Sequence, residues 1–198
     1  MNKFSTRGRV GVALAATALS AAGTLAATTS PASAVTVFSK FEALHSGMVM
    51  DVANASQANQ GPVGQFPFHG GTNQQWTRNF VSSSPAAGSN ANTPAFELIA
   101  RHSGKCLDIK GGSSTSPSVP LVQADCDGTA SQRWYTHKVA DFGLLTGKGY
   151  RYIYNLHSGL VIDVANASQA PAALVQFPQK PLNQAQNQLW NQGLGGVA

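Results

Sequence analysis

The chain has 198 residues, a net charge of +5 and only 11% charged side chains. Lys3, Arg7 and Arg9 precede an alanine-rich apolar run over 10–27 and a small-residue Ala32-Ser33-Ala34 site, which predicts a secretory signal peptide over 1–34. Three of the 13 basic residues leave with it, so ten Lys and Arg face eight Asp and Glu over 35–198, a net +2 that argues against nucleic acid or an anionic membrane as partner.

The apolar run is weakly hydrophobic and ends at Ser30-Pro31, which argues against a membrane anchor. The exported part, 35–198, has the size of one ordinary domain. It holds both cysteines, Cys106 and Cys126. Export permits a disulfide, and the even count predicts one between them. Glycine and proline recur throughout, and no long stretch has a 3.6-residue apolar period. That pattern predicts an all-β fold of many short strands.

In the first repeat, residues 38–44 read as a strand. His45-Ser46-Gly47 is a tight turn in which the glycine supplies a positive φ. Residues 48–52 alternate and read as a second strand. After a polar loop comes a third, over 63–66, and Gly70-Gly71 leads into a fourth ending at Gln75-Trp76-Thr77.

The same markers then return twice. His-Ser-Gly recurs at His102 and His157, and an aspartate follows each time, at Asp51, Asp108 and Asp163. A Gln-x-Trp triplet closes each copy, at Gln74, Gln132 and Gln188, and uses all three tryptophans. Residues 45–58 and 157–170 differ only at Met48/Leu160 and Met50/Ile162. Three repeats, at about 35–81, 95–139 and 150–194, predict about twelve strands around a pseudo-threefold axis. One hairpin pair cannot bury its apolar face, whereas three can share a core. Residues 82–94 and 140–149 read as inter-repeat loops.

Cys106-Leu107-Asp108, then Gln123, Cys126 and Gln132-Arg133-Trp134, resemble the signature of the ricin B-type lectin family. The resemblance covers essentially all of 35–198 and implies a β-trefoil that binds carbohydrate. The chemistry suits a pyranose: a carboxylate accepts hydroxyl protons, amides donate and accept together, and a ring covers an apolar sugar face.

Carried over residue by residue, the resemblance implies a site in repeat one from Asp51, Gln65, Phe66, Asn73 and Gln74, with Phe68 as the alternative ring. It implies a second in repeat three from Asp163, Gln176, Phe177, Asn187 and Gln188. Repeat two keeps Asp108, Gln123 and Gln132, but has Ala124 in place of the ring and Ser131 in place of the Asn. It is expected to be mainly structural. The rings are Phe where the family more often has Trp or Tyr, so weak affinity is expected. The tryptophans are expected in the core.

The expected partners are glycans, of galactose type or from plant cell walls. No cofactor or metal is expected, since the five histidines show no metal-ligand spacing. Asn54-Ala55-Ser56 and Asn166-Ala167-Ser168 match the glycosylation pattern but read as a loop of a duplicated repeat. A glycoside hydrolase needs two carboxylates roughly 5–10 Å apart. Only Glu42 and Glu97 are glutamates, and no Ser-His-Asp set or phosphate loop stands out. A protein-binding trefoil such as a protease inhibitor stays open, as does an accessory sugar-binding subunit of a separate secreted hydrolase.

Overall fold

The computed structural model describes residues 36–82, 94–139 and 149–197. The leader expected over 1–34 and most of both inter-repeat loops lie outside the described residues. Twelve strands are present: β1 Val37–Ala43, β2 Val49–Val52, β3 Gly61–Phe66, β4 Trp76–Ser82, β5 Ala95–Ala100, β6 Cys106–Ile109, β7 Val119–Ala124, β8 Trp134–Lys138, β9 Arg151–Asn155, β10 Val161–Val164, β11 Ala172–Phe177 and β12 Trp190–Val197. The other regular pieces among the described residues are three-residue 3₁₀ turns. No helix there is long and apolar enough to cross a membrane.

The strand pairs close in two ways. β1, β4, β5, β8, β9 and β12 form a ring in which each pairs antiparallel with the next and β12 returns to β1. The remaining six are three hairpins, β2–β3, β6–β7 and β10–β11. Their second strands also pair with one another, β3 with β7, β7 with β11 and β11 with β3. A closed ring leaves no open edge to template aggregation.

The core draws the same positions from each repeat. Phe41, Leu98 and Ile153 come from the first strands, and Met50, Leu107 and Ile162 from the second. Val52, Ile109 and Val164 follow two residues later, which is the period of a strand. The three tryptophans are fully buried among them. Each indole N–H donates to a core strand carbonyl: Trp76 to Met50 at 3.2 Å, Trp134 to Leu107 at 3.1 Å and Trp190 to Ile162 at 3.1 Å. A buried indole needs such a partner, and here it also locks the end of each repeat onto its second strand.

The His-Ser-Gly turns are built alike. Gly47, Gly104 and Gly159 have φ of +67°, +68° and +70°. The serine hydroxyls of Ser46, Ser103 and Ser158 accept from the backbone N–H two residues on. Each also donates to a strand glutamine, Gln65, Gln123 or Gln176, at 2.7–2.8 Å.

One boundary differs from the expectation. Gln75-Trp76-Thr77 does not end a strand. Thr72–Gln74 is a 3₁₀ turn, and β4 begins at Trp76. The reason is Gln74, whose amide turns inward and holds the preceding loop, which a residue in a straight ladder could not do.

Cys106 and Cys126 are joined in a disulfide, and no cysteine is free. It ties the start of β6 to the loop after β7.

Candidate functional site

Asp51 lies between the core residues Met50 and Val52, so strand alternation turns its side chain away from the core. It emerges at the bottom of a cleft of about 510 Å³. Phe66 and His69 line the cleft from the end of β3 and the loop after it, and Asn73 comes from the 3₁₀ turn. The other wall belongs to repeat three, where Pro171, Ala172 and Ala173 approach. Gly64 makes that approach possible, because a Cβ there would meet the Ala172 carbonyl oxygen at 2.6 Å.

Asp51 keeps 8% of its side chain accessible. Asn73 Nδ2 donates to its Oδ2 at 2.9 Å and to the Val52 carbonyl at 3.1 Å. His69 Nε2 stands 3.6 Å from the same carboxylate oxygen. The His69 Nδ1 accepts from the Gly71 N–H at 3.2 Å, so in the neutral ring the proton sits on Nε2, facing Asp51. Burial raises the Asp51 pKa above the usual carboxylate value, and hydrogen bonds and charge from Gln74, His69 and Asn73 oppose the rise only in part. The product is a recessed acceptor, short of water, with a ring beside it. Phe66 supplies that ring, 44% exposed and set edge-on to His69 at 6.0 Å.

Phe68 does not line the cleft. It is exposed, with the Lys40 ammonium 4.7 Å from its ring centroid. Gln65 is the inward member of its strand and Phe66 the outward one, so the ring next to the glutamine is the one presented.

The strand glutamines turn their amides to the neighbouring repeat, although Gln65 also borders the cleft. Gln65 is buried, and its Nε2 donates to the carbonyls of Ser168 and Ala170, both at 2.8 Å. Gln123 donates to Ser56 and Ala58, and Gln176 to Ser114 and Ser116. The histidines of the His-Ser-Gly turns run in parallel. His45 meets the Ser168 carbonyl, His102 that of Ser56 and His157 that of Ser113, each at 2.9 Å. Repeat one thus grips repeat three, repeat two grips repeat one, and repeat three grips repeat two. Gln65, Gln123 and Gln176, expected at the sugar, spend their amides between repeats.

The Gln-x-Trp glutamines are likewise internal. Gln74, Gln132 and Gln188 are fully buried. Each accepts, at 2.8–2.9 Å, from the backbone N–H of the residue four beyond the strand glutamine: His69, Asp127 and Lys180. Each also donates to a carbonyl in the same loop, that of Pro67, Asp125 or Pro178. Gln132 and Gln188 hold the aspartate as well, at 3.1 and 2.8 Å. All three position the loop, and Gln132 and Gln188 also position the carboxylate.

Repeats one and three, so close in sequence, part company here. In repeat three the Lys180 ammonium lies 2.9 Å from Asp163 Oδ2 and 3.2 Å from Asn187 Oδ1, and 5.2 Å from the Phe177 ring centroid. Asp163 retains 4% of its side chain accessible. Asn187 spends its Nδ2 on the Val164 carbonyl. The carboxylate, amide and ring are all assembled, but a cation already occupies them.

Repeat two lacks the ring and the Asn. Asp108 accepts from the Ile109 N–H at 2.7 Å and from Gln132, and Ser131 shares a hydrogen bond with Thr129. Asp127 stands where the other repeats have a base. Residue types alone missed His69 and Lys180. The available signal was position, since both lie four residues after the strand glutamine.

The two glutamates form no acid pair: Glu42 meets Lys40 at 3.1 Å, while buried Glu97 accepts from Asn79. Among the described residues, no cluster of three or more His, Cys, Asp or Glu is placed to hold a metal ion.

The family model for the ricin-type β-trefoil lectin domain-like family matches residues 37–89 and 80–177. The chain belongs to that family. Similar solved structures include the designed threefold-symmetric protein ThreeFoil, at 33% identity and a TM-score of 0.64, covering 78% of this chain and 96% of that one. An exo-β-1,3-galactanase from Clostridium thermocellum shares 26% identity at a TM-score of 0.67, over 80% of this chain but 30% of that one. A ricin B-like lectin from Macrolepiota procera, solved with lactose, shares the fold at 20% identity and a TM-score of 0.55, over 78% and 93%. No curated protein gives a significant match.

Proposed function

We propose that the chain is a secreted, non-catalytic lectin with a β-trefoil arrangement of its three repeats about a pseudo-threefold axis, and that it binds glycans through the cleft of repeat one. The observation that carries this reading is Asp51 recessed beside the exposed ring of Phe66, with Asn73 and His69 around the same carboxylate. A sugar hydroxyl donates to the carboxylate while the ring covers an apolar face of the pyranose. His69 Nε2–H and the remaining amide capacity of Asn73 serve a neighbouring hydroxyl.

The sugar class is of galactose type or from plant cell walls. Its support is the lactose held by the Macrolepiota lectin and the galactanase that carries a related domain. Secretion is supported by the leader-like first 34 residues and by the Cys106–Cys126 disulfide, which persists in oxidising compartments.

The test is a glycan array carrying galactosides and plant polysaccharides, probed with the wild type and with Asp51→Asn. Binding to a galactose-terminated or galactan probe, lost in the variant, is expected. A folded wild-type protein that binds no glycan on the array removes the reading.

A further inference from the structure

Repeats one and three carry nearly the same sequence around their aspartates, yet only repeat one leaves its aspartate open at the floor of a cleft. The contact that differs is made from one position, on loops of unequal length. His69 and Lys180 both sit four residues beyond the strand glutamine, and each hangs its backbone N–H on the Gln-x-Trp glutamine, at 2.9 and 2.8 Å. Both side chains therefore leave from matching points, each toward the aspartate of its own repeat. The imidazole of His69 stops 3.6 Å away and remains 48% exposed, as part of the cleft wall. The longer Lys180 reaches over the carboxylate and touches Asp163 and Asn187 together.

We propose that Lys180 is an internal occupant of the repeat-three site, so that the wild-type protein offers neutral sugar a single site, and that the residue at position 180 decides whether a second exists. This rests on the carbohydrate reading of repeat one. Asp163 Oδ2 already accepts from Lys180 and Gln188, and the Asn187 oxygen also accepts from Lys180. An ammonium–carboxylate hydrogen bond is stronger than one from a neutral hydroxyl. A pyranose would have to expel the lysine, leave Asp163 without its counter-charge, and gain only hydroxyl contacts in return. The Phe177 ring, in position but next to the ammonium, cannot be stacked until the lysine moves. Replacing Lys180 by His copies the open repeat and keeps a weaker partner for Asp163.

The same galactoside and plant-polysaccharide array decides the matter with four proteins: wild type, Asp51→Asn, Lys180→His, and the double variant. Phe66→Ala serves as a second way to silence repeat one, and Lys180→Gln as a second way to open repeat three. Circular dichroism confirms that each is folded. Expected is a measurable signal from wild type, a loss of at least about tenfold in that signal in Asp51→Asn and Phe66→Ala, and recovery when either is combined with Lys180→His or Lys180→Gln. Binding retained in both repeat-one variants means repeat three is already open and overturns the proposal. Failure of every folded double variant to recover also overturns it, with the carbohydrate reading intact. Wild type that binds nothing removes that reading, and the proposal with it.

Discussion

Gln65 in β3 donates its amide to the carbonyl oxygen of Ser168, 103 residues away in repeat three, at 2.8 Å. The same oxygen receives His45 at 2.9 Å, and Gln65 goes on to Ala170. Repeat two holds the Ser56 carbonyl of repeat one in the same way, and in repeat three Gln176 takes the Ser114 and Ser116 carbonyls while His157 takes that of Ser113, so each repeat completes the hydrogen bonding of a neighbour. Gln65, Gln123 and Gln176 are buried, so their amides need those carbonyls, and an unsatisfied buried amide costs more than the bond itself contributes. This is a polar counterpart to the shared tryptophan core, and it explains why His-Ser-Gly and the strand glutamine recur together.

Gln65→Ala is therefore expected to lower stability by about 2–3 kcal/mol, from three hydrogen bonds at about 1 kcal/mol each. Gln123→Ala and Gln176→Ala should match it within about 1 kcal/mol. Urea denaturation of the three variants measures this. A cost confined to Gln65 would show that the repeats are not stapled alike.

Burial holds the Asp51 pKa above its unfolded value. Between those two values the native state binds the extra proton, so stability falls as pH rises through that window. At neutral pH the charged carboxylate is a net liability to folding. Asp51→Asn should accordingly be more stable than wild type at pH 7, with the advantage shrinking as pH is lowered to about 4, the unfolded value. Glycan binding should run the other way. It needs the ionised acceptor, so it should weaken as pH drops through the raised pKa. In Asp51→Asn it should be about tenfold to a hundredfold weaker at pH 7, the value of one hydrogen bond to a charged group. Thermal melts and titrations across pH 4–8 would show both slopes.

Phe66 and Phe68 are similarly exposed, at 44% and 46%, but only Phe66 faces the cleft. Phe66→Ala should weaken glycan binding by about tenfold or more, some 1.4 kcal/mol, with a small effect on stability. Phe68→Ala should leave affinity unchanged. Equal losses in isothermal titration would place the ring on the wrong side of the loop.

The loop after each second strand turns through two consecutive left-handed residues. Asn54 and Ala55 have φ of +55° and +48°, and Asn166 and Ala167 have +58° and +48°. Repeat two places Gly111 and Gly112 there, at +79° and +74°. An alanine in that region costs about 1–2 kcal/mol. Gly112→Ala has room for its Cβ, the nearest atom being Ser131 Oγ at 3.9 Å, so the loss should be the backbone term alone, about 1 kcal/mol. Ala55→Gly should return less than that, because glycine also loses more freedom on folding. Denaturant midpoints of the two variants provide the comparison.

Much of the fold was legible in the sequence because it is written three times. The short strands and the glycine turns follow from local rules of period and backbone conformation, the inward tryptophans from the family resemblance, and repetition made each visible against its copies. The aspartates and the Phe66 ring were legible through the family signature. The glutamines were legible as recurring residues, but their work was not. An amide suits a sugar hydroxyl and a backbone carbonyl equally well, and only closure of the three repeats brings the Ser168, Ser56 and Ser114 carbonyls to them.

Composition and repeat spacing by themselves determined an all-β chain in three copies with a carboxylate in each. The tertiary structure decided which carboxylate is open. His69 and Lys180 both follow the strand glutamine by four residues and hang from the Gln-x-Trp glutamine, although the loop of repeat three then runs three residues longer. What separates them is reach: across the few ångströms from loop to aspartate an imidazole forms a wall, while a lysine closes the gap and satisfies the charge itself.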